Sequence, residues 1–262
     1  MTGTTPTGAG GGEREASRWV RDMFGRVAPR YDLLNHLLSF NMDKRWRKRT
    51  VDRIAPQLGK PGARVLDLAC GTGDVLLAME QRLSRPSGSG YVMGSDFCHP
   101  MLVEAQRKIA ARRFHSPLFE ADALALPLAA NSLDLITIAF GFRNLANYEA
   151  GLRELLRVLK PGGVLAILEF SQPSNRVFRA LYGFFSTSVL PRVGGIISGT
   201  PEAYSYLPES IRKFPGAEEL AGAMRSAGYG EVEFERMTGG AVALHLGWKA
   251  AGHANHQIGP SL

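Results

Sequence analysis

Short β-forming segments alternate with helix-like segments from residue 63 onward, and this alternation limits the folds that the chain can adopt. Strands that alternate with helices of roughly 10–15 residues predict βαβ units, in which a parallel sheet is covered on both faces. We therefore expect an α/β, Rossmann-like fold with a seven-stranded, mostly parallel sheet. The sequence KPGG (160–163) predicts the turn into the fifth strand. The seven β-forming segments are ARVLDLAC, GYVMGSDF, SPLFEADA, LDLITIAF, GGVLAILEFS, EVEFERM and AVALHLGWK.

Two regions lie outside this alternation and predict the domain organisation. Helical periodicity precedes the first strand, and the alternation stops again for some forty residues after the fifth strand. In open α/β sheets, ligands bind beyond the carboxyl ends of the strands, where such extra segments can cover them. We expect a single domain over residues 14–250, with an N-terminal helical cap (14–60) and a substrate-covering insertion (171–215). Gly/Thr-rich and polar composition predicts disordered tails at 1–13 and 251–262.

The composition excludes some classes of protein. The 262 residues are 45% hydrophobic, which allows a sizeable core, but no apolar run approaches the ~18 residues of a membrane span. Two cysteines, Cys70 and Cys98, are too few for a disulfide framework, so we expect a reducing cytoplasm. Basic residues outnumber acidic ones by 31 to 24, and the net charge of +7 is compatible with an anionic partner, either nucleic acid or a membrane surface.

The sequence VLDLACGTGD (65–74) places Asp67 at the end of a predicted strand, before a loop that contains Gly71 and Gly73. A dinucleotide fingerprint requires a third small residue at the position of Leu76, and a phosphate-binding P-loop requires a lysine that this loop lacks. S-adenosyl-L-methionine, which has no phosphate, remains as the ligand that such a loop can bind.

Three carboxylates at successive strand ends support this interpretation. We expect Asp67 near the ammonium group of the cofactor, and Asp96, after the second strand, as the acceptor for both ribose hydroxyls. Asp122, after the third strand, is expected to accept from the adenine amino group. The alternative is that each aspartate only caps a helix N-terminus, as aspartate often does.

Two longer motifs resemble the signatures of the C-methyltransferases of ubiquinone and menaquinone biosynthesis, and the demethylmenaquinone methyltransferases most of all. YDLLNHLLSFNMDKRWRK (31–48) resembles the N-terminal signature of that family, and RVLKPGGVLAILEFS (157–171) resembles its second signature. The resemblance extends over about residues 19 to 249. It implies a class I methyltransferase fold that uses S-adenosyl-L-methionine and no metal.

The resemblance also assigns cofactor residues. Carried over position by position, they are Thr72, Asp96 and the pair Asp122 and Ala123. Some members of the family have a serine where this chain has Ala139, so one hydrogen bond of those members is absent or replaced here.

The family transfers a methyl group to a ring carbon of a polyprenylated quinol, with S-adenosyl-L-homocysteine as the other product. Deprotonation of a quinol hydroxyl raises the electron density at that carbon. A nearby cation can lower the phenol pKa of about 10 by about 1–3 units and so favour this deprotonation. We expect Arg143, in FGFRN (140–144), to stabilise the phenolate while water or His36 takes the proton. The alternatives are that Arg143 only binds a carboxylate and that His36 is a packed or surface residue.

Further residues are candidates for contacts with the quinol and with the membrane. The aromatic stretch at 177–197 is expected to pack on the sheet and, with a minority of its residues, to contact the isoprenoid tail. The basic stretch DKRWRKR (43–49) either attracts anionic lipid or is a solvated helix face. Candidates for the quinol pocket are Tyr31, Asn35, Tyr204 and Arg212. The expected partners are a polyprenylated quinol, the inner membrane surface in transient contact, and a second copy of the chain in a homodimer; no nucleic acid is expected.

Several alternatives stay open at this point. The demethylmenaquinol of menaquinone biosynthesis and the benzoquinol precursor of ubiquinone are both substrates of this family. An RNA-binding methyltransferase is a rival from another class, although the chain lacks the Asp/Asn-Pro-Pro-aromatic and Pro-Cys motifs of base methylation. A non-catalytic binding module would be expected to lose the three carboxylates, and Leu76 argues against an oxidoreductase.

Overall fold

The structure, a computed structural model, describes residues 3–4, 12–32, 36, 39, 41–83, 90–173 and 201–251. The predicted tails, most of the predicted insertion, the aromatic stretch and Asn35 lie outside the described residues, as does the side chain of Tyr204. The helices that position the site are α1 (Glu13–Val27), α2 (Met42–Leu58), α3 (Asp74–Arg82), α4 (His99–Ala111), α5 (Tyr148–Val158), α6 (Pro201–Lys213) and α7 (Ala217–Ser226).

Seven strands form one sheet in the order β3-β2-β1-β4-β5-β7-β6. The first five strands are parallel, and β7 pairs antiparallel with both β5 and β6. This architecture confirms the predicted seven-stranded, mostly parallel sheet. The strands are β1 (Arg64–Leu68), β2 (Tyr91–Asp96), β3 (Leu118–Glu120), β4 (Leu133–Ala139), β5 (Leu159–Phe170), β6 (Tyr229–Met237) and β7 (Val242–Lys249).

The core has two parts, one on each face of the sheet. Successive side chains of a strand point to opposite faces, and a sheet covered on both faces buries both sets. Leu135 of β4 therefore packs with Ile54 of α2, whereas its neighbour Ile136 packs with Leu152 of α5 and Leu220 of α7. The N-terminal helix α1 lies at the edge of this core, against α4 and α6.

The sequence KPGG does not separate α5 from the fifth strand, as we expected from its Pro and Gly residues. Leu159 already pairs with Leu133, and KPGG lies within β5, where the register shifts before Val164 pairs with Leu135. Gly162 has a positive φ of 75° at this irregularity, which glycine adopts without strain. The predicted turn is thus a bulge-like interruption inside the strand. Among the described residues, no helix is both long and apolar enough to cross a membrane.

Candidate functional site

The glycine loop leaves the carboxyl end of β1 and leads directly into α3. Ala69, Gly71 and Gly73 all have positive φ angles, of 51°, 54° and 85°, so the chain curls tightly between strand and helix. Gly73 is the N-cap of α3, and a Cβ at this position would stand 3.3 Å from the side chain of Ala105 in α4. The backbone angle therefore favours glycine at this position, and the neighbouring helix leaves little room for a larger residue.

A cavity of about 690 Å³, including its open mouth, lies at the carboxyl ends of the parallel strands. The location is the usual one for ligands of open α/β sheets. Its wall combines the glycine loop, the ends of β1 to β4 and residues of α1 and the segment after it (13–32), here called the N-terminal cover. The lining residues are Ser17, Phe24, Tyr31, Leu68, Ala69, Gly71, Asp96, Phe97, Met101, Ala121, Asp122, Ala123, Ala139, Phe140, Gly141, Asn144, Leu145 and Ala146.

Asp96 and Asp122 both belong to the wall of this cavity. The buried carboxylate of Asp96 accepts hydrogen bonds of 2.9 Å from the backbone N–H groups of Gly71 and Cys98. Burial raises the pKa of Asp96 to about 6, although these hydrogen bonds oppose the shift. Asp122 is exposed and accepts from the N–H of Leu124 at 2.9 Å. Each carboxylate therefore binds nearby backbone groups while it also faces the cavity. Neither caps a helix N-terminus as in the capping alternative, because the N-cap of α4 is Cys98 and Leu124 lies in a turn.

Asp67 is not among the residues that line the cavity. It is paired in register with Thr137 of β4, whose hydroxyl donates to Oδ1 at 2.7 Å. The other carboxylate oxygen, Oδ2, is buried without a hydrogen-bond partner in the described part of the chain. Burial raises the pKa of Asp67 to about 7. The carboxylate is buried beside Thr137 and is not among the residues that line the cavity, so the expected contact with the ammonium group has no support from its position.

Thr72 connects the glycine loop to the N-terminal cover instead of lining the cavity. Its hydroxyl binds Asp32 and accepts from Nζ of Lys108 at 3.0 Å. Lys108 also pairs with Asp32, and with Asp74 at 2.8 Å. Asp32 follows Tyr31, whose ring lies 3.8 Å from the position of a Cβ on Gly71. The side chain of Thr72 thus holds the segment that places Tyr31 over the loop.

His36 lies in a polar cluster between α2 and α3, not on the cavity wall. Its Nδ1 is 2.7 Å from Oδ2 of Asp43, which also binds Arg47 and, at 2.7 Å through Oδ1, the hydroxyl of Ser39. Burial alone would raise the pKa of Asp43, but Ser39 and the charge of Arg47 lower it. Arg47 continues the cluster to Asp74 at 3.1 Å. His36 is therefore not among the residues that line the cavity.

Arg143 and Glu169 form a buried ion pair beside the cavity. Nη1 of Arg143 donates to Oε1 of Glu169 at 2.9 Å, and the backbone N–H of Arg143 donates to Oε2 at 3.2 Å. Burial disfavours the guanidinium charge, but Glu169 outweighs it and raises the pKa of Arg143. The guanidinium also lies 5.3 Å from the ring centroid of Phe170. Arg143 itself is behind the wall, between the lining residues Gly141 and Asn144.

Of the candidates for the quinol pocket, the structure describes the side chains of Tyr31 and Arg212. Tyr31 lines the cavity, whereas Arg212 is exposed on α6 and does not line it. Sequence reasoning missed Ser17, Phe24 and Asn144 in the wall, and Glu169 behind it. Asn144 stands in FGFRN (140–144) and Glu169 in RVLKPGGVLAILEFS (157–171), so their positions could have been singled out. Ser17 and Phe24 belong to a helix without any such motif.

Comparisons with known proteins assign a family. Residues 12–249 match the model of the "ubiE/COQ5 methyltransferase family". A demethylmenaquinone methyltransferase of Thermus thermophilus is 49% identical over 86% of this chain and 99% of the relative. The corresponding enzyme of Deinococcus radiodurans is 41% identical over 91% and 96%. A ubiquinone/menaquinone biosynthesis C-methyltransferase of Syntrophotalea carbinolica is 44% identical over 88% and 94%.

Solved structures agree on the fold. A SAM-dependent methyltransferase from Thermotoga maritima matches with a TM-score of 0.62 at 18% identity, over 87% of this chain and 98% of that one. Another from Aquifex aeolicus matches with a TM-score of 0.53 at 21% identity, over 76% and 88%. At these identities the similarity shows the class I methyltransferase fold alone.

Proposed function

We propose that this chain, which belongs to the ubiE/COQ5 methyltransferase family, transfers the methyl group of S-adenosyl-L-methionine to a ring carbon of demethylmenaquinol. The observation that carries the proposal is 49% identity, over 99% of the relative's length, with a demethylmenaquinone methyltransferase. The benzoquinol precursor of ubiquinone remains the alternative substrate, because other relatives, at 44% and 40% identity, are named for both pathways.

The residues of the cavity fit the cofactor. Asp96 and Asp122 offer carboxylate acceptors at neighbouring strand ends, which suit the ribose hydroxyls and the adenine amino group. Gly71 and Ala123 add no bulk to the same wall. Thr72 acts through its contact with Asp32, by holding the cover over the loop.

When bound, S-adenosyl-L-methionine supplies an electrophilic methyl group. The protein's part is to align the quinol ring with it, to exclude water and to favour the phenolate form of the ring hydroxyl. Alignment alone can lower a barrier by roughly 7–11 kcal/mol. Phe24, Tyr31 and Phe140 on the cavity wall are suited to hold a flat, apolar ring.

We assign the stabilisation of the phenolate to Arg143. Its pairing with Glu169 is compatible with this role, because a guanidinium has five N–H donors and only Nη1 is used among the described residues. Nε is buried without a partner in the same set. Its donor capacity and the short distance along the chain to Asn144, on the wall, support the assignment.

Because the proposed substrate has an isoprenoid tail, we expect the protein to contact the membrane surface transiently. On the basic helix α2, Lys48 pairs with Asp52 and Arg49 with Glu235, whereas Lys44 and Arg45 are exposed. We propose that Lys44 and Arg45 contribute about 1 kcal/mol each near anionic lipid. Sedimentation with anionic and neutral vesicles, at low and high salt, tests this contact.

The test of the function is incubation of the protein with labelled S-adenosyl-L-methionine and, in parallel, reduced demethylmenaquinone or a reduced benzoquinone precursor. Mass spectrometry of the lipid products should show one added ring methyl group on the naphthoquinol. Methylation of the benzoquinol alone would establish the alternative pathway. Cofactor binding without transfer to either quinol would contradict the proposed function.

A further inference from the structure

Tyr206 joins three elements behind the cavity. It stands on α6, is only 4% exposed, and packs in one cluster with Val20 and Met23 of α1. Its ring centroid is 5.3 Å from that of Trp19. Its hydroxyl donates to Oδ1 of Asn144 at 2.9 Å, across 62 positions of sequence. A buried tyrosine hydroxyl needs a hydrogen-bond partner, and here that partner is a side chain of the loop after β4.

Asn144 is the wall residue that receives this hydrogen bond. It lines the cavity directly after Arg143, at the end of the short helical turn Phe142–Asn144. A carboxamide has one acceptor oxygen and one nitrogen with two donors, and it can turn over to exchange them. Because the hydroxyl of Tyr206 occupies Oδ1, the orientation of the group is set. The amide nitrogen makes no hydrogen bond to any other described residue, so both donors are available for a ligand.

The hydroxyl of Tyr206 can keep this donor role over a wide pH range. Burial raises the pKa of Tyr206, and the nearby charge of Arg143 only partly opposes the shift. The proton therefore stays on the hydroxyl at physiological pH. A second contact, of 3.1 Å to the hydroxyl of Thr4, leaves the bond to Asn144 in place.

We propose that Tyr206 is a positioning residue, which holds the carboxamide of Asn144 so that its N–H groups donate to the ring oxygen of the quinol. This inference rests on the proposed function. The amide donor then acts on the developing negative charge whose stabilisation the proposed function assigns to Arg143. Without the hydroxyl, the carboxamide turns over in part of the molecules and presents its oxygen, which repels the phenolate.

The first experiment compares two tyrosine variants that lose only a hydroxyl. Tyr206→Phe keeps the ring in its cluster and removes the bond to Asn144. Tyr229→Phe is the matched control, because Tyr229 is also buried and its hydroxyl donates to the backbone oxygen of Leu152 at 3.2 Å, away from the cavity wall. We expect kcat for the quinol to fall about tenfold in Tyr206→Phe, the effect of one lost hydrogen bond. The cofactor affinity of both variants should stay within twofold of the wild type, and so should the kcat of Tyr229→Phe.

A double-variant cycle separates positioning from general stability. If Tyr206 acts through Asn144, then Tyr206→Phe causes no further loss of kcat in an Asn144→Ala background. Multiplication of the two single effects would overturn the proposal, as would a kcat of Tyr206→Phe equal to that of Tyr229→Phe.

A measurement that needs no substrate keeps the inference distinct from the proposed function. In ¹⁵N-labelled protein, the side-chain amide signals of Asn144 are identified by their absence in Asn144→Ala. We expect Tyr206→Phe to shift and broaden these signals and Tyr229→Phe to leave them unchanged. Unchanged signals in Tyr206→Phe overturn the inference, even if the quinol is methylated. Absence of quinol methylation by the wild type would instead refute the proposed function.

Discussion

Arg143 and Glu169 pair at 2.9 Å where the adjacent strands β4 and β5 end, and both side chains are almost completely buried. A pair of this kind neutralises its own charges, so that neither residue can be lost without leaving the other uncompensated. Glu169 also accepts from the backbone N–H groups of Arg143 and Phe170. The pair therefore fixes the loop after β4, which forms one side of the cavity, as well as the guanidinium itself.

Removal of one partner of this pair should be more harmful than removal of both. We expect Arg143→Met to lower the free energy of unfolding by about 3–5 kcal/mol, because Glu169 is left buried without its cation. The double variant Arg143→Met with Glu169→Leu should recover most of that loss in urea unfolding experiments. If Arg143 also stabilises the phenolate, the double variant stays inactive although it is folded. Full activity of the double variant would contradict the role of Arg143 in the reaction.

Asp67 should make the ligand-free protein less stable as the pH rises. Its pKa is raised to about 7 in the folded protein, so the folded state holds this proton more tightly than the unfolded chain. The stabilisation is complete below about pH 4 and is lost as the pH rises through about 7; a shift of this size corresponds to roughly 4 kcal/mol. Asp67→Asn, which cannot ionise, should remove this dependence in urea unfolding measured at pH 5 and pH 8. Parallel curves for variant and wild type would show that Asp67 titrates normally.

Asp96 should make cofactor binding depend on pH. Burial raises its pKa to about 6 in the ligand-free protein, whereas hydroxyl donors of a bound ribose favour the ionised form. Binding then releases a proton below about pH 6, and the affinity increases with pH up to that value. Calorimetry in buffers of different ionisation enthalpy measures this proton. In Asp96→Asn the affinity should be lower and the dependence absent; a dependence that persists would assign the proton to another group.

Lys108 binds both Asp32 and Thr72, so it should increase the affinity for the cofactor by holding the N-terminal cover against the glycine loop. Lys108→Met removes the cation that joins the cover, the glycine loop and Asp74. For such part-buried pairs we expect a loss of about 1 kcal/mol, or about fivefold, in cofactor affinity. Arg107→Met is the matched control, since the exposed Arg107 pairs only with Glu104 among the described residues. Equal affinities of the two variants would mean that the bridge does not act on the cofactor.

The sequence determined the architecture because the signals for it are local. Alternating periodicity predicted seven strands in a mostly parallel sheet, and the structure has them. The carboxyl ends of parallel strands meet at one edge, so Gly71, Asp96 and Asp122 could be expected at a common cavity before any contact was known. The domain boundaries, and the roles given to Tyr204 and Asn35, stay predictions because they depend on residues outside the described ranges.

Only the tertiary structure decided what each side chain of the motifs contacts. Asp67 was expected at the ligand, but its buried carboxylate accepts from Thr137 and is not among the residues that line the cavity. Thr72 contacts Asp32, across 40 positions of sequence, and Tyr206 contacts Asn144 across 62. The packing of distant segments against one another determines such contacts. Periodicity and turn chemistry indicate only the structure of residues that are near neighbours in the chain. The sequence thus indicates where the strands end, and the packing of the N-terminal cover on those ends determines which side chains line the cavity.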